Sequence, residues 1–123
     1  MADNWYVGNA AIDSKDHRGW LIGHFLDDAD GVRVSDAVEI KWGIHPAGEK
    51  RHDRQTDEQR TTVVLLVKGR FRIELSSGIV VLKEEGDYAM WGPGIEHSWH
   101  AEADSVVITI RWPSSPQRAL AVG

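Results

Sequence analysis

Two histidines, His97 and His100, lie in the unusual segment WGPGIEHSWH, which spans residues 91–100. An imidazole can act as a general acid or base near neutral pH, and it is the commonest metal ligand. Because the side chains of a strand alternate between its two faces, this odd spacing places the two rings on opposite faces. The glycines and the proline before them indicate a turn that aims the strand. We therefore expect His97 to face a site and His100 to lie on the surface.

A second group of reactive side chains alternates along VEIKWGIH, residues 38–45. Glu39, Lys41 and His45 share one face of this predicted strand, and apolar side chains share the other. The polar face could be solvated, where neighbouring acids and bases interact weakly. Alternatively, it lines a site in which burial shifts the pKa values, His45 acts as a general base, and Glu39 and Lys41 assist catalysis.

Four further residues are candidates for contacts with a substrate. Arg111, on the last predicted strand, could bind a carboxylate with its forked guanidinium or form an ion pair with Glu39. Arg51 lies shortly after the strand that carries Glu39. Trp91 and Trp99 flank the turn before the histidines, and they are either core residues or the aromatic walls of a pocket.

Composition limits the classes of function. The chain has 123 residues and no cysteine, which excludes disulfides, thiolate catalysis and cysteine-bound zinc. A net charge of −5 argues against nucleic-acid binding, which needs a basic face. The sequence contains no apolar stretch long enough for a membrane span, and its first residues do not resemble a signal peptide. We expect one cytoplasmic domain with a small-molecule ligand, and neither a membrane nor a nucleic acid as partner.

The hydrophobic pattern has mostly a period of two, which indicates strands. Strands are predicted at 38–45, 61–69, 70–75, 79–83, 88–91 and 105–112, with a further pair at 19–26 and 31–35. A short helix is an alternative at 57–61 or near the C-terminus. Many short strands separated by turns are typical of a β-sandwich or a β-barrel.

The spacing of Gly86, Gly94 and His97 resembles the second sequence motif of the cupin superfamily. In that motif a glycine is followed after seven residues by a second glycine, and after two more residues by a histidine. Gly69 is similar to the last glycine of the first motif. The glutamate position of that first motif falls on Thr62, however, and its histidine pair does not occur at the expected spacing.

The resemblance covers about residues 38–112 and extends to small single-domain bacterial cupins. It implies an all-β fold, the double-stranded β-helix or jelly-roll barrel. Residues 1–123 would then form a single cupin domain, with N-terminal strands within 19–35 and a tail at 114–123 outside the barrel. Because small cupins commonly pair sheet to sheet, the resemblance also implies a homodimer.

A pocket at the mouth of such a barrel can hold a small molecule or a metal. The resemblance implies His97 as a ligand of one divalent transition metal (Fe, Mn, Ni, Cu or Zn). His45 and His52 would complete the set, or a nearby carboxylate would replace His52. A pocket without metal is the alternative.

Three functions agree with these features. The first is the processing of a small molecule by isomerase, lyase or oxygenase chemistry, with or without a divalent metal. The second is a non-catalytic module that binds or senses a metabolite, and the third is a purely structural dimerisation domain. A fold by itself does not distinguish among them.

Overall fold

The computed structural model of the chain describes residues 4–51, 53–57 and 59–114. In this part of the chain a short α-helix, α1 (Ala10–Asp13), precedes the strands, and a 3-10 helix (Asp28–Arg33) separates the first strand from the second. The strands are β1 (Trp20–Ile22), β2 (Glu39–His45), β3 (Thr61–Lys68), β4 (Phe71–Leu75), β5 (Gly78–Leu82), β6 (Tyr88–Trp91), β7 (His97–Ala101) and β8 (Ser105–Trp112). No helix of the described residues is long and apolar enough to cross a membrane.

Two antiparallel sheets face each other. The larger sheet has the strand order β1-β2-β8-β3-β6, and the smaller sheet has the order β5-β4-β7. Val64 and Leu66 of β3 form one hydrophobic core with Phe71 and Ile73 of β4. The strands from β2 to β8 and the inward positions of Phe71 and Ile73 confirm the predicted all-β jelly roll.

The strand register aligns inward side chains of the larger sheet into rows. Glu39 of β2 pairs with Arg111 of β8, and Arg111 also pairs with Thr62 of β3. Thr62 in turn pairs with Trp91 of β6. Glu39, Thr62 and Trp91 are all buried, so this row lies inside the barrel. The polar face of β2 therefore points inward, which decides between the two alternatives that the sequence leaves open.

The N-terminal strand pair predicted at 19–26 and 31–35 does not form. β1 is only three residues long and pairs with β2, and an isolated bridge joins Gly23 to Val34. The carboxylate of Asp30 accepts the backbone N–H of Asp27 at 2.9 Å. This bond closes a helical turn at the position where the prediction placed a hairpin turn, so the chain continues as a 3-10 helix.

Two other local predictions are corrected. The carboxylate of Asp57 accepts the backbone N–H groups of Gln59 (3.0 Å) and Arg60 (3.1 Å), so the chain turns into β3 where a short helix was an alternative. Ser114, the first residue of the predicted outer tail, is fully buried and donates a hydrogen bond to Glu39 at 2.9 Å. The rest of the tail and the alternative C-terminal helix lie outside the described residues.

Candidate functional site

A cavity of about 350 Å³ opens between the two sheets. All predicted site residues that the structure describes, except Glu39, line this cavity: Lys41, His45, Arg51, Trp91, His97, Trp99 and Arg111. The register explains the convergence. Lys41 and Arg111 occupy inward positions of the neighbouring strands β2 and β8, while His97 and Trp99 extend from β7 in the opposite sheet.

His97 lies in the cavity wall beside Trp91, with 4.9 Å between the ring centroids. Burial lowers the pKa of His97 below its ordinary value, and the carbonyl of Ile95 opposes this shift. The positive charges of Arg51 and Arg111 lower the pKa further, so the imidazole is neutral at neutral pH. When Nδ1 donates its proton to the Ile95 carbonyl oxygen (3.2 Å), Nε2 is left as an unprotonated base.

His100 lies on the other face of β7, in agreement with its spacing from His97. It pairs in register with Arg72 of β4, and the Nη2 atom of Arg72 lies 2.7 Å from its Nδ1 atom. The segment WGPGIEHSWH therefore contributes one histidine to the cavity, and the second is held by an arginine outside the barrel.

His45 lines the cavity at the end of β2. Its Nδ1 atom contacts Oε1 of Glu49, and its ring lies 4.5 Å from the ring centroid of Trp99. Gly43 makes this position possible, because a Cβ atom at residue 43 would lie 2.7 Å from Nε2 of His45. The imidazole thus stands close over the backbone of its own strand, between the cavity and Glu49.

The charge on the cavity walls is mainly positive. Four cationic side chains line it: Arg18, Lys41, Arg51 and Arg111. Asp57 is the acidic residue of the described walls, and its carboxylate accepts a hydrogen bond from Nη1 of Arg60 at 2.9 Å. Arg111 is paired with the buried Glu39, but Arg18, Lys41 and Arg51 form no ion pair in the described part of the chain, so the cavity has an excess of positive charge that suits an anion.

Lys41 lies close to two of these cations. Burial lowers the pKa of Lys41, the charges of Arg111 and Arg51 lower it further, and Glu49 opposes them. The ring of Trp20 lies 5.5 Å from the Lys41 Nζ atom and 4.7 Å from the Arg111 guanidinium. One aromatic ring therefore contacts both an amine and a guanidinium at the cavity wall.

A groove of about 610 Å³ adjoins the cavity on the outside. The two share Arg18, Lys41, Gly43, His45, Arg51 and Trp99 in their walls. The groove adds Lys15 and Lys50, so positive charge continues from the cavity to the surface. This concentration is notable in a chain whose net charge is −5.

Sequence reasoning missed Arg18 and Trp20 as site residues. Both precede the strongly periodic part of the chain, and Arg18 has a positive φ of 56° in a turn. Hydrophobic periodicity carries no signal for such a segment. The usable signal is local: a basic residue and a glycine, Arg18 and Gly19, directly before a short strand that begins with a tryptophan, Trp20.

Glu39 does not lie on the cavity wall. It is 0% exposed, and its carboxylate contacts Nη2 of Arg111 and accepts a hydrogen bond from Ser114 Oγ. Nη2 of Arg60 lies 3.7 Å from the same carboxylate. The prediction that Glu39 acts directly on a substrate is corrected, because its oxygens are enclosed by protein groups. The alternative prediction, an ion pair with Arg111, describes what is observed.

The described residues do not fit a resident divalent metal. Among residues 4–51, 53–57 and 59–114, no three histidine, aspartate or glutamate side chains are grouped as metal ligands. His45 and His97 line the cavity, but Asp57 is bound to Arg60 and the other charges on the walls are positive. His52 lies outside the described residues, so the set of His97, His45 and His52 stays a prediction.

Comparison with known proteins tests the fold. No family model matches the sequence, and no curated protein matches it. Among solved structures, KdgF from Halomonas sp. shares 21% sequence identity with this chain and has a TM-score of 0.60. The alignment covers 68% of this chain and 76% of the KdgF chain. An RmlC-like cupin from Shewanella frigidimarina shares 17% sequence identity and has a TM-score of 0.59, and the alignment covers 68% of this chain and 72% of that cupin.

This chain has the cupin fold. A third similar structure is a cupin superfamily protein from Desulfitobacterium hafniense, with 19% sequence identity and a TM-score of 0.57. The alignment covers 63% of this chain and 69% of that protein. At these identities the likeness concerns the fold alone. Within the cupin fold, His97 occupies the inward position that its motif predicts, and Thr62, at the degenerate glutamate position, is buried in the cavity wall.

Proposed function

We propose that this cupin-fold protein binds a small organic acid in the cavity between its sheets and transfers a proton on it. The observation that carries the proposal is the charge of the cavity walls. Arg18, Lys41, Arg51 and Arg111 all line a space of about 350 Å³, which is the size of a small-metabolite site. The acid on the described walls, Asp57, is bound to Arg60.

Aromatic side chains stand beside the charged groups of the cavity. Phe71, Trp91 and Trp99 line the same cavity, and the Phe71 and Trp99 rings are stacked with 5.3 Å between centroids. A site with apolar walls focuses the field of its charges. The aromatic rings would contact the carbon skeleton of the ligand, while a guanidinium would bind its carboxylate with two parallel hydrogen bonds.

His97 supplies the proton-transfer step in this proposal. Its neutral imidazole can remove a proton from a carbon next to a carbonyl or carboxylate group, and the cationic side chains stabilise the negative charge that develops. Return of the proton to another carbon would complete an isomerisation. Departure of a leaving group from the neighbouring carbon would complete a lyase reaction. Neither outcome needs a redox co-reactant.

Binding is tested by thermal unfolding with matched ligands. Glucuronate and glucose differ in one carboxylate, so we expect glucuronate to raise the unfolding temperature and glucose to leave it unchanged. Arg111→Met should remove this stabilisation. Arg70→Met is the matched control, because Arg70 lies outside the cavity and pairs with Glu102. Equal stabilisation by both sugars, or by wild type and Arg111→Met, would refute an anion site.

Proton transfer is tested separately. Wild-type protein in D₂O with a bound organic acid should exchange a carbon-bound hydrogen of the ligand for deuterium, as followed by NMR, and His97→Gln should not. Anion binding without exchange across a series of organic acids would favour the non-catalytic binding module over the enzyme.

A further inference from the structure

We propose that Lys41 forms an imine with an anionic aldehyde or ketone held in the cavity. This inference rests on the proposed function, because the anion site is what brings a carbonyl compound to the amine. It assigns to Lys41 a covalent role that a lysine acting only as a positive charge would not have. The reacting class is a small oxo acid, with its carboxylate on the guanidiniums and its carbonyl near the Lys41 Nζ atom.

The position of Lys41 favours such a role. It lines both the inner cavity and the outer groove, so a ligand that enters through the groove passes its side chain. Gly19 makes room for its stem: a Cβ atom at residue 19 would lie 2.9 Å from the Lys41 Cε atom and 3.0 Å from its Cγ atom. The stem is therefore confined by the backbone of the neighbouring segment, and the amine is held at the junction of the two spaces.

The charges around Lys41 raise the fraction of its amine that is unprotonated. Arg111 on β8 and Arg51 after β2 both repel a proton on Nζ, and Arg18 lines the same two spaces. No ion pair of Lys41 occurs among the described residues. The acid that acts on it, Glu49, contacts the His45 ring instead. A buried amine among guanidiniums is the environment in which lysines become nucleophiles at neutral pH.

The chemistry is balanced without any further reactant. The lone pair of the Lys41 Nζ atom forms a bond to the carbonyl carbon, the carbonyl π bond breaks, and a proton passes from the nitrogen to the oxygen to give a carbinolamine. Loss of one water molecule gives the neutral imine, which takes up a proton from solvent to become the protonated imine, and addition of water reverses the sequence. No oxidant or reductant is consumed. The positive imine nitrogen withdraws electrons from the adjacent carbon, which would assist removal of its proton.

The test is reductive trapping followed by peptide mapping. The folded chain is incubated at neutral pH with glyoxylate and cyanoborohydride, which converts an imine to a stable carboxymethyl-lysine. The chain contains five lysines, Lys15, Lys41, Lys50, Lys68 and Lys83, so the other four are internal controls. Since burial and the neighbouring guanidiniums lower the pKa of Lys41 and so raise the unprotonated fraction of its amine, we expect Lys41 to be modified faster than the exposed Lys68 and Lys83.

Two variants and one neutral ligand complete the design. Lys41→Arg keeps a positive charge at this position but has no amine that can form an imine, so it should lose the trapped product at residue 41 and leave trapping at Lys83 unchanged. Arg111→Met should lower trapping at Lys41 without changing it at Lys83. Glycolaldehyde, which has no carboxylate, should show a smaller preference for Lys41 than glyoxylate does, because the guanidiniums do not bind it.

The outcomes separate the two proposals. If organic acids stabilise the wild type but Lys41 is trapped no faster than Lys83, imine formation is refuted and the anion site stands. If organic acids do not stabilise the wild type, the proposed function fails. Preferential trapping of Lys41 by glyoxylate, abolished in Lys41→Arg, supports the inference.

Discussion

Glu39 and Arg111 face each other across the β2–β8 ladder, and the fully buried carboxylate of Glu39 contacts the guanidinium of Arg111 from beneath the cavity wall. The same carboxylate accepts a hydrogen bond from Ser114 and lies 3.7 Å from Arg60 Nη2. Glu39 thus compensates the charge of Arg111 and, together with Asp57, that of the buried Arg60. Glu39 holds Arg111 in place and offsets the free-energy cost of burying the Arg111 charge. Of these two guanidiniums, that of Arg111 lines the cavity.

We expect Glu39→Gln to destabilise the fold strongly. The substitution keeps the side-chain shape but leaves Arg111 and Arg60 buried with less compensation, and breaking a buried ion pair from one side costs about 3–5 kcal/mol. Urea denaturation of both proteins gives the difference in the free energy of unfolding. Glu74→Gln is the matched control, because Glu74 forms a partly exposed ion pair with Arg72 and should cost less than about 1 kcal/mol. Equal costs for the two variants would contradict the buried role of Glu39.

The pair of Asp57 and Arg60 predicts a loss of stability in acid. Burial alone would raise the pKa of Asp57, but the backbone N–H of Gln59 and the guanidinium of Arg60 together lower it below the ordinary 3.8. A carboxylate with a lowered folded pKa stabilises the fold above its unfolded pKa, and this contribution is lost as the pH falls through the folded pKa. Below about pH 4 the stability of wild type should therefore fall more steeply than that of Asp57→Asn. Parallel curves in urea denaturation at several pH values would contradict this prediction.

Most strands could be predicted from the sequence, but which face of β2 points inward could not. Its apolar side chains, among them Ile40 and Trp42, lie on the outside, and Glu39 and Lys41 lie inside. Periodicity shows that the strand has two different faces, but it does not show which of them is buried. The buried face is decided by long-range pairing, since Glu39 is opposite Arg111 on a strand more than sixty residues away.

The same limit applies to the site. His97 could be found from a local motif, since two glycines and a histidine at a fixed spacing shape one turn and one strand. Arg18 and Trp20 could not be found in this way, because they reach the cavity only after β1 has paired with β2. Residues that join a site through tertiary contacts leave no periodic trace in the sequence.

The homodimer expected from the sequence stays a prediction, and the outer face of the larger sheet is the surface that favours it. Two rows of apolar side chains cross four strands on this face: Ile40, Ile110, Val63 and Met90 in one row, and Trp42, Ile108, Leu65 and Tyr88 in the other. Neither row contains a charge. A two-fold contact brings the same residues together from both copies, so an uncharged apolar face is compatible with itself.

Met90→Lys tests this surface. Met90 is 57% exposed, so a lysine there should fold without strain but should place like charges in the contact between the two copies. We expect wild type to elute as a dimer in size-exclusion chromatography with light scattering, and Met90→Lys to elute as a monomer. Ile79→Lys is the control, since Ile79 is 66% exposed but lies on β5 of the smaller sheet. A monomeric wild type, or a variant that stays dimeric, would contradict the prediction.

Gly43 and Gly69 should respond differently to alanine because their neighbours differ. At Gly43 a new Cβ atom would lie 2.7 Å from Nε2 of the His45 ring, which can rotate away, and at an ordinary contact distance of 3.4 Å from Cγ2 of Val107, so the free energy of unfolding should change by less than about 1 kcal/mol. The displaced ring should nevertheless narrow the cavity and weaken the binding of organic acids, as measured by calorimetric titration.

At Gly69 the φ angle is +107°, and a Cβ atom would lie 2.6 Å from the Cα atom of Ser105. Backbone cannot yield as a side chain can, so Gly69→Ala should cost at least about 1–2 kcal/mol. Unchanged binding in Gly43→Ala would show that the position of His45 does not shape the site.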